Sequence, residues 1–225
     1  MFGAIRYIHY NILVAQSEIV KYLVVITMIT KDRFVYKGVY NKTFSIACAD
    51  NGYGKTELIM KVLCHNVPRE KIYVLNTSRQ RDWTKFIPKK NIYVPVMFNI
   101  DFIEQFLLEF MKTHSDCMLI LDDFDAYPVK KSDIVYKIVR EARHSNVGIV
   151  AATGMLQRLP TIYYQQADYL FFGPQESKWN VQYISKANIP QEDANILMKL
   201  PKYVFAAWIR NEHRMYLVKV NLNSF

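Results

Sequence analysis

The chain is 225 residues long, 51% hydrophobic and 22% charged, which fits one folded domain and excludes disordered or collagen-like chains. Twenty-nine Lys and Arg against 20 Asp and Glu leave a formal charge of +9, so a polyanion is an expected partner. The longest uncharged apolar run, residues 22–30 between Lys21 and Lys31, falls short of the roughly 20 residues of a membrane-spanning helix, so no span is expected.

Residues 1–17 are broken by Arg6, His9, Asn11 and Gln16, which argues against a secretory signal. Strands are predicted at 22–30, 43–49, 71–76, 91–97, 117–121, 147–153, 168–172, 203–209 and 215–220. Several are short continuous apolar runs, the pattern of parallel strands buried on both faces. Helices are predicted at 55–66, 101–114, 132–144 and 191–199. In the second of these, Phe102, Phe106 and Phe110, with Ile103 and Leu107, form a stripe at helical spacing that reads as core. Strand–helix alternation over 43–153 predicts an α/β domain with a mainly parallel sheet, and the last two strands, around 210–214, predict an antiparallel edge hairpin. Three cysteines at wide spacing (Cys48, Cys64, Cys117), each in an apolar stretch, read as buried reduced thiols of a reducing compartment.

The first core strand runs into Asp50-Asn51-Gly52-Tyr53-Gly54-Lys55-Thr56 and then, from Glu57, into a helix. Two of the chain's seven glycines fall here. A loop that turns its backbone amides around phosphate oxygens needs conformations that Gly adopts cheaply, and the following helix offers its positive end to the same phosphates. In this pattern Lys55 reaches the β- and γ-phosphates of ATP, and the Thr56 hydroxyl is a ligand for Mg²⁺. The motif G-x-x-x-x-G-K-S/T is matched except at its first position, which is Ala49. The apolar run 117–121 ends in Asp122-Asp123, a Walker B element in which Asp122 holds the metal and Asp123 stands where many ATPases carry a Glu that orients the attacking water. Two predicted strands lie between the phosphate-loop helix and Asp122, the arrangement of additional-strand ATPases. The fold expectation is therefore a single P-loop NTPase domain of that type. Residues 1–42 form an N-terminal extension, 43–175 the nucleotide-binding core, and 176–225 a C-terminal helix with the edge hairpin.

With ADNGYGKT at 49–56, LILDD at 119–123 and REARHSNVGIVAATGMLQRLP at 140–160, the chain resembles the FtsK–HerA superfamily. Within it, the chain is similar to the genome-packaging ATPases of double-stranded DNA viruses with an internal membrane. The similarity covers roughly 43–220 and implies an ATP-hydrolysing DNA translocase that works as a homo-oligomeric ring, a hexamer or pentamer. It also implies capsid or membrane proteins at a packaging vertex as partners, and a location in the host cytoplasm during assembly or on the virion. By the same resemblance Thr153 ends a sensor strand, and an arginine acts in trans, with Arg143 and Arg158 as candidates. There are departures. Gly154 follows Thr153 where the family commonly has Gln, with Gln157 three residues on, and Tyr163 replaces the Arg that many members carry after the Pro.

The segment 76–90 carries Arg79, Arg81, Lys85, Lys89 and Lys90 against one acid, Asp82, with Trp83 and Phe86 interleaved. As a loop after a parallel strand it is the candidate grip on a DNA sugar-phosphate backbone. A solvated basic loop is the competing reading, and Trp83 could alternatively stack on adenine or line a subunit interface. Two other functions stay in play: a helicase loader of the AAA+ type, and a nucleotide-gated DNA-binding protein with little turnover.

Overall fold

The computed structural model describes residues 36, 38–78, 81–174, 182–184, 189, 194, 197 and 200–220. Eight strands form one sheet: β1 (Phe44–Cys48), β2 (Ile72–Asn76), β3 (Ile92–Tyr93), β4 (Cys117–Asp122), β5 (Val147–Thr153), β6 (Tyr169–Phe172), β7 (Val204–Ile209) and β8 (Arg214–Lys219). Their order across the sheet is β3-β2-β4-β5-β1-β6-β7-β8. The first six run parallel, and β7 and β8 add an antiparallel hairpin beyond β6.

Every residue of β1, β4 and β5 is buried, which is why these strands read as unbroken apolar runs. Alternate side chains feed two cores. Ile46, Cys48, Leu119, Leu121, Ile149 and Ala151 face one side, and Ala47, Met118, Ile120, Val150 and Ala152 the other. The first side is covered by α2 (Ile100–Thr113), α3 (Asp133–Glu141) and α4 (Thr161–Gln166). The second is covered by α1, which starts at Lys55–Leu58 and continues as a π-helical turn over Ile59–Leu63, together with the segment around Trp83 and Ile87.

The aromatic stripe of α2 packs as predicted. Ile103, Leu107 and Phe110 are fully buried, while Phe102 and Phe106 cover the margin of the same core, stacked on each other at 6.2 Å between ring centroids. Each fully buried side chain of this size contributes about 1.5–3 kcal/mol. Asn99 caps the helix by accepting from the Phe102 amide at 2.9 Å, and Ser132 caps α3 by accepting from the Val135 amide at 2.9 Å.

Two predicted elements shorten. The strand expected over 91–97 is only Ile92–Tyr93. Pro95 lacks the amide a longer strand would need, and Val94, Val96 and Met97 point into solvent. The first helix stops at Leu63. The strand predicted at 22–30 lies outside the described residues, as does most of the helix predicted at 191–199. All three cysteines are buried. Burial pushes the Cys48 thiol up to about 12 and that of Cys117 to about 11, so both are protonated. Among the described residues no helix is long and apolar enough to cross a membrane.

At the amino-end edge of the sheet, residues 39–43 lie across β5. Tyr40 and Asn41 donate to Asp116 at 3.0 and 2.8 Å, and Lys71 pairs with the same carboxylate. The crossing is so close that a Cβ on Gly148 would sit 1.6 Å from the Tyr40 carbonyl oxygen, a backbone atom. Gly148→Ala is therefore expected to push this segment off the sheet at a cost of about 1–3 kcal/mol. In thermal unfolding that is a fall in Tm of about 2–4 °C per kcal/mol for a chain of this size.

Candidate nucleotide-binding site

Parallel strands deliver their carboxyl ends to one edge of a sheet, and here that edge collects the polar residues that end apolar strands. β5 lies between β1 and β4, so the loop leaving β1, the acids ending β4 and Thr153 ending β5 are neighbours. The register pairs Cys48 with Thr153, and the Ala49 amide donates to the Thr153 carbonyl at 3.2 Å. Thr153 is fully buried, and its hydroxyl accepts from the Met155 amide at 3.1 Å.

The loop from Asp50 to Gly54 turns on its two glycines. Gly52 has φ 82° and Gly54 φ 93°, both in the left-handed region that side chains disfavour. Gly54 stands at the N-cap of α1, and its carbonyl accepts from the Leu58 amide at 2.9 Å. Ala49 keeps its backbone out of the left-handed region, and its methyl fits because the residue facing it is Gly173, where a Cβ would approach to 2.5 Å. That explains physically why Ala suffices at the first motif position.

Lys55 is 2% exposed, and its ammonium sits within the loop, donating to the Ala49 carbonyl and, at 3.3 Å, to that of Asp50. Burial lowers its pKa, and the nearby Arg81 guanidinium lowers it further. Thr56 and Glu57 follow in the first turn of α1, both half-buried. Asn51 and Gly52 are exposed, and Tyr53 packs against the second core.

Asp122 is fully buried at the end of β4 and has both oxygens engaged. Oδ1 pairs with Nη1 of Arg81, and Oδ2 accepts from Trp83 Nε1 at 3.2 Å. Burial pushes the Asp122 carboxyl up while the Arg81 guanidinium pulls it down. Asp123 follows in a left-handed conformation with φ 49°, its Oδ1 4.0 Å from Nη2 of Arg81. Asp125, in the turn after β4, accepts from the Gly154 amide at 3.3 Å and ties that turn to the exit of β5.

The donor set fits the groups the motifs imply. Oxygen ligands from one hydroxyl and one carboxylate suit Mg²⁺, which keeps several waters and shares substrate phosphates. Such a site is not a cluster of three protein ligands, and among the described residues there is no such cluster. The left-handed glycines and the enclosed ammonium of Lys55 suit a phosphate chain.

The basic segment departs from its expected geometry. Arg79 lies outside the described residues. Arg81 turns inward to Asp122 instead of facing an external polyanion, because a buried carboxylate demands a cation more strongly than solvent does. Trp83 is 1% exposed, packed in the second core against Phe86 at 6.3 Å, so its ring offers no face to adenine or to another subunit. Lys85, Lys89 and Lys90 are exposed, yet the last two do not share the edge with the phosphate loop. The chain crosses the sheet after Asn76, and Asn91 donates to the carbonyls of Glu70 and Ile72, so Lys89 and Lys90 sit at the amino-end edge. Arg143 is exposed at that same amino-end edge, before β5, whereas Arg158 is exposed in the turn after β5, on the loop side. Gln157 directs its amide to the Met155 thioether at 3.8 Å.

The sheet order and the strand–loop–helix geometry are those of the P-loop NTPase fold of the additional-strand type. No protein-family model matches the chain, and no curated protein sequence matches it significantly. Solved structures share its fold. The genome-packaging NTPase B204 of Sulfolobus turreted icosahedral virus 2, in complex with AMP, matches with a TM-score of 0.68 at 21% identity, over 81% of this chain and 99% of B204. The DNA-packaging ATPase B204 of Sulfolobus turreted icosahedral virus gives 0.69 at 18% identity, over 81% and 100%. TcpA, the pCW3 conjugation coupling protein, in its monomer form with ATPγS, gives 0.55 at 10% identity, over 79% of this chain and 60% of TcpA. The resemblance drawn from the motifs is thus matched at the level of the fold.

A Cβ on Gly52 would meet nothing within 4 Å, whereas one on Gly54 would come within 2.3 Å of the Tyr203 ring. Gly52→Ala is expected to cost about 1–2 kcal/mol from backbone strain alone. Gly54→Ala should cost about 1–3 kcal/mol more from the collision. Urea unfolding measures both, and adding Tyr203→Ala should recover part of the loss in Gly54→Ala but none in Gly52→Ala.

Proposed function

We propose that the protein is an ATP-hydrolysing motor that translocates double-stranded DNA, in the setting of packaging a viral genome into a capsid. One observation carries the reading: the phosphate loop, the Asp122-Asp123 pair and Thr153 meet at one edge of a sheet whose fold is shared with B204 over 81% of the chain. In this reading Lys55 leaves the carbonyls of Ala49 and Asp50 for the β- and γ-phosphates, exchanging backbone acceptors for charged ones. Thr56 and Asp122 would hold Mg²⁺, which would supply positive charge against the phosphate chain. Asp123 orients the attacking water, and Thr153, fixed between β1 and β4, senses the γ-phosphate. Arg158 lies on the same side of the sheet as the loop and is favoured over Arg143 as the arginine offered to a neighbouring subunit of a homo-oligomeric ring. Lys85, Lys89 and Lys90 supply exposed cations for the duplex, and Arg81 is removed from that set. Capsid or membrane proteins at a packaging vertex, and a place in the host cytoplasm or virion, belong to the same proposal.

The low-turnover reading keeps a specific support. Both oxygens of Asp122 are engaged within the chain, and Asp123 is one methylene shorter than the Glu it replaces.

Hydrolysis by the confirmed oligomer, with and without long duplex DNA, tests the motor. The wild type is expected to turn over several-fold faster with DNA, and Lys55→Ala to lose both rates. A Lys85→Ala/Lys89→Ala/Lys90→Ala variant should keep the DNA-free rate and bind duplex with a log–log salt slope shallower by about 0.9 per lost phosphate contact. Wild-type hydrolysis no greater than that of Lys55→Ala would remove the motor reading. Turnover without DNA stimulation would favour the nucleotide-gated one.

A further inference from the structure

Arg81 and Trp83 close on Asp122 from opposite oxygens, and the two are anchored differently. The Trp83 ring is embedded in the second core, so its indole N–H is a fixed donor. Arg81 is held at its backbone, where its carbonyl accepts from Asn76 Nδ2 at 3.2 Å. Asn76 ends β2 directly opposite Asp122 in the parallel register, so this bond places the root of the arginine beside the carboxylate. The side chain itself is 21% exposed and approaches from the solvent side. Its second terminal nitrogen is already 4.0 Å from Asp123, a second anion to which the guanidinium can shift without leaving the site.

Asp122 is the one carboxylate that ends the central strand β4, and the reading above assigns it to Mg²⁺. A carboxylate whose Oδ1 carries a guanidinium and whose Oδ2 accepts from an indole offers a metal-bound water only the lone pairs that those two contacts leave. The Trp83 bond leaves a lone pair on Oδ2, but the charge of Arg81 opposes any cation approaching the same group. Lys55, which feels the Arg81 charge, already supplies one cation to the phosphate side of the site.

We propose that Arg81 and Trp83 form a displaceable clasp on Asp122, so that Mg²⁺ gains this carboxylate only as Arg81 yields it. Arg81 is a positioning residue that keeps a buried anion paired and sets the cation concentration the site requires. The inference rests on the nucleotide-site reading and goes beyond it, because a P-loop site with the same donors and no clasp binds Mg²⁺ without this competition. The clasp also has a place in the chain's design. It begins five residues after β2, in the crossover that carries Lys85, Lys89 and Lys90, so the metal site and the exposed lysines share one covalent segment.

The test is a Mg²⁺ titration of the full chain with a fluorescent, slowly hydrolysed ATP analogue, alongside the same binding in EDTA. Arg81→Ala is expected to lower the Mg²⁺ concentration for half-maximal binding by about tenfold, as removal of a charged hydrogen-bond partner predicts. Trp83→Phe, which keeps the ring in the core and the net charge unchanged, should lower it by a smaller factor. Mn²⁺ electron paramagnetic resonance without nucleotide gives an independent readout: more ion should bind to Arg81→Ala than to wild type. An unchanged Mg²⁺ requirement in both folded variants, or one that rises in Arg81→Ala, overturns the clasp. If the wild type binds the analogue neither with Mg²⁺ nor in EDTA, the nucleotide-site reading itself is lost, and the clasp with it. Should Arg81→Ala fail to fold by circular dichroism, Trp83→Phe decides alone, with an unchanged requirement counting against the clasp.

Discussion

The parallel pairing of β5 between β1 and β4 is the constraint on which the rest of the site depends. Because the three strands run the same way and are buried on both faces, their ends cannot splay without exposing a core face to water. The five-residue register of β1 on β5, from Phe44–Ile149 to Cys48–Thr153, sets the height at which the phosphate loop begins. The register of β4 on β5 sets the height of the acids. No side-chain interaction is needed to bring the loop and the carboxylates together, and of the covering helices only α1 supplies site residues, Lys55 and Thr56. Hydrophobic burial thus does the positioning, and the polar residues at the strand ends inherit it.

That division explains what could be read in the amino-acid sequence. Strands buried on both faces announce themselves as continuous apolar runs, and β1, β4 and β5 lie within a residue of where those runs place them. The glycines beside Lys55-Thr56 are legible for a related reason, since a left-handed backbone restricts residue type locally. β3 was overextended because Val94, Val96 and Met97 have strand-like composition, although Pro95 and their exposure mark the chain as already leaving the sheet. Composition records what a residue prefers on average and not whether a partner strand is there to receive it.

The basic segment shows the harder limit. Five cations close together in sequence read as one surface, but their destinations are set by contacts far along the chain. Arg81 answers a carboxylate 41 residues away, and Lys89 and Lys90 are carried to the other edge by Asn91 bonding near the start of β2. No local pattern signals either event. Asn76 was the available clue: a polar residue ending a buried apolar strand, next to another strand ending in Asp, is a group with a duty at that edge. Its side-chain oxygen is buried without a hydrogen-bond partner among the described residues, which again marks that position as one built for more than packing.

Asp123 ties these observations together. In an extended strand, adjacent side chains point to opposite faces, so Asp122 and Asp123 could not both address one cation if β4 simply continued. The left-handed backbone at Asp123 ends the alternation at the first residue past the strand. Asp tolerates this conformation better than most side chains, at a cost of about 1–2 kcal/mol relative to a relaxed one. The turn leaves one carboxylate in contact with Arg81 and the other 4.0 Å from it, one fully buried and one partly exposed. Asp123 holds its charge 4.0 Å from Nη2 of Arg81, so both carboxylates at this edge face one guanidinium, and the turn after β4 gathers two anions and a cation that a continuing strand would have kept apart.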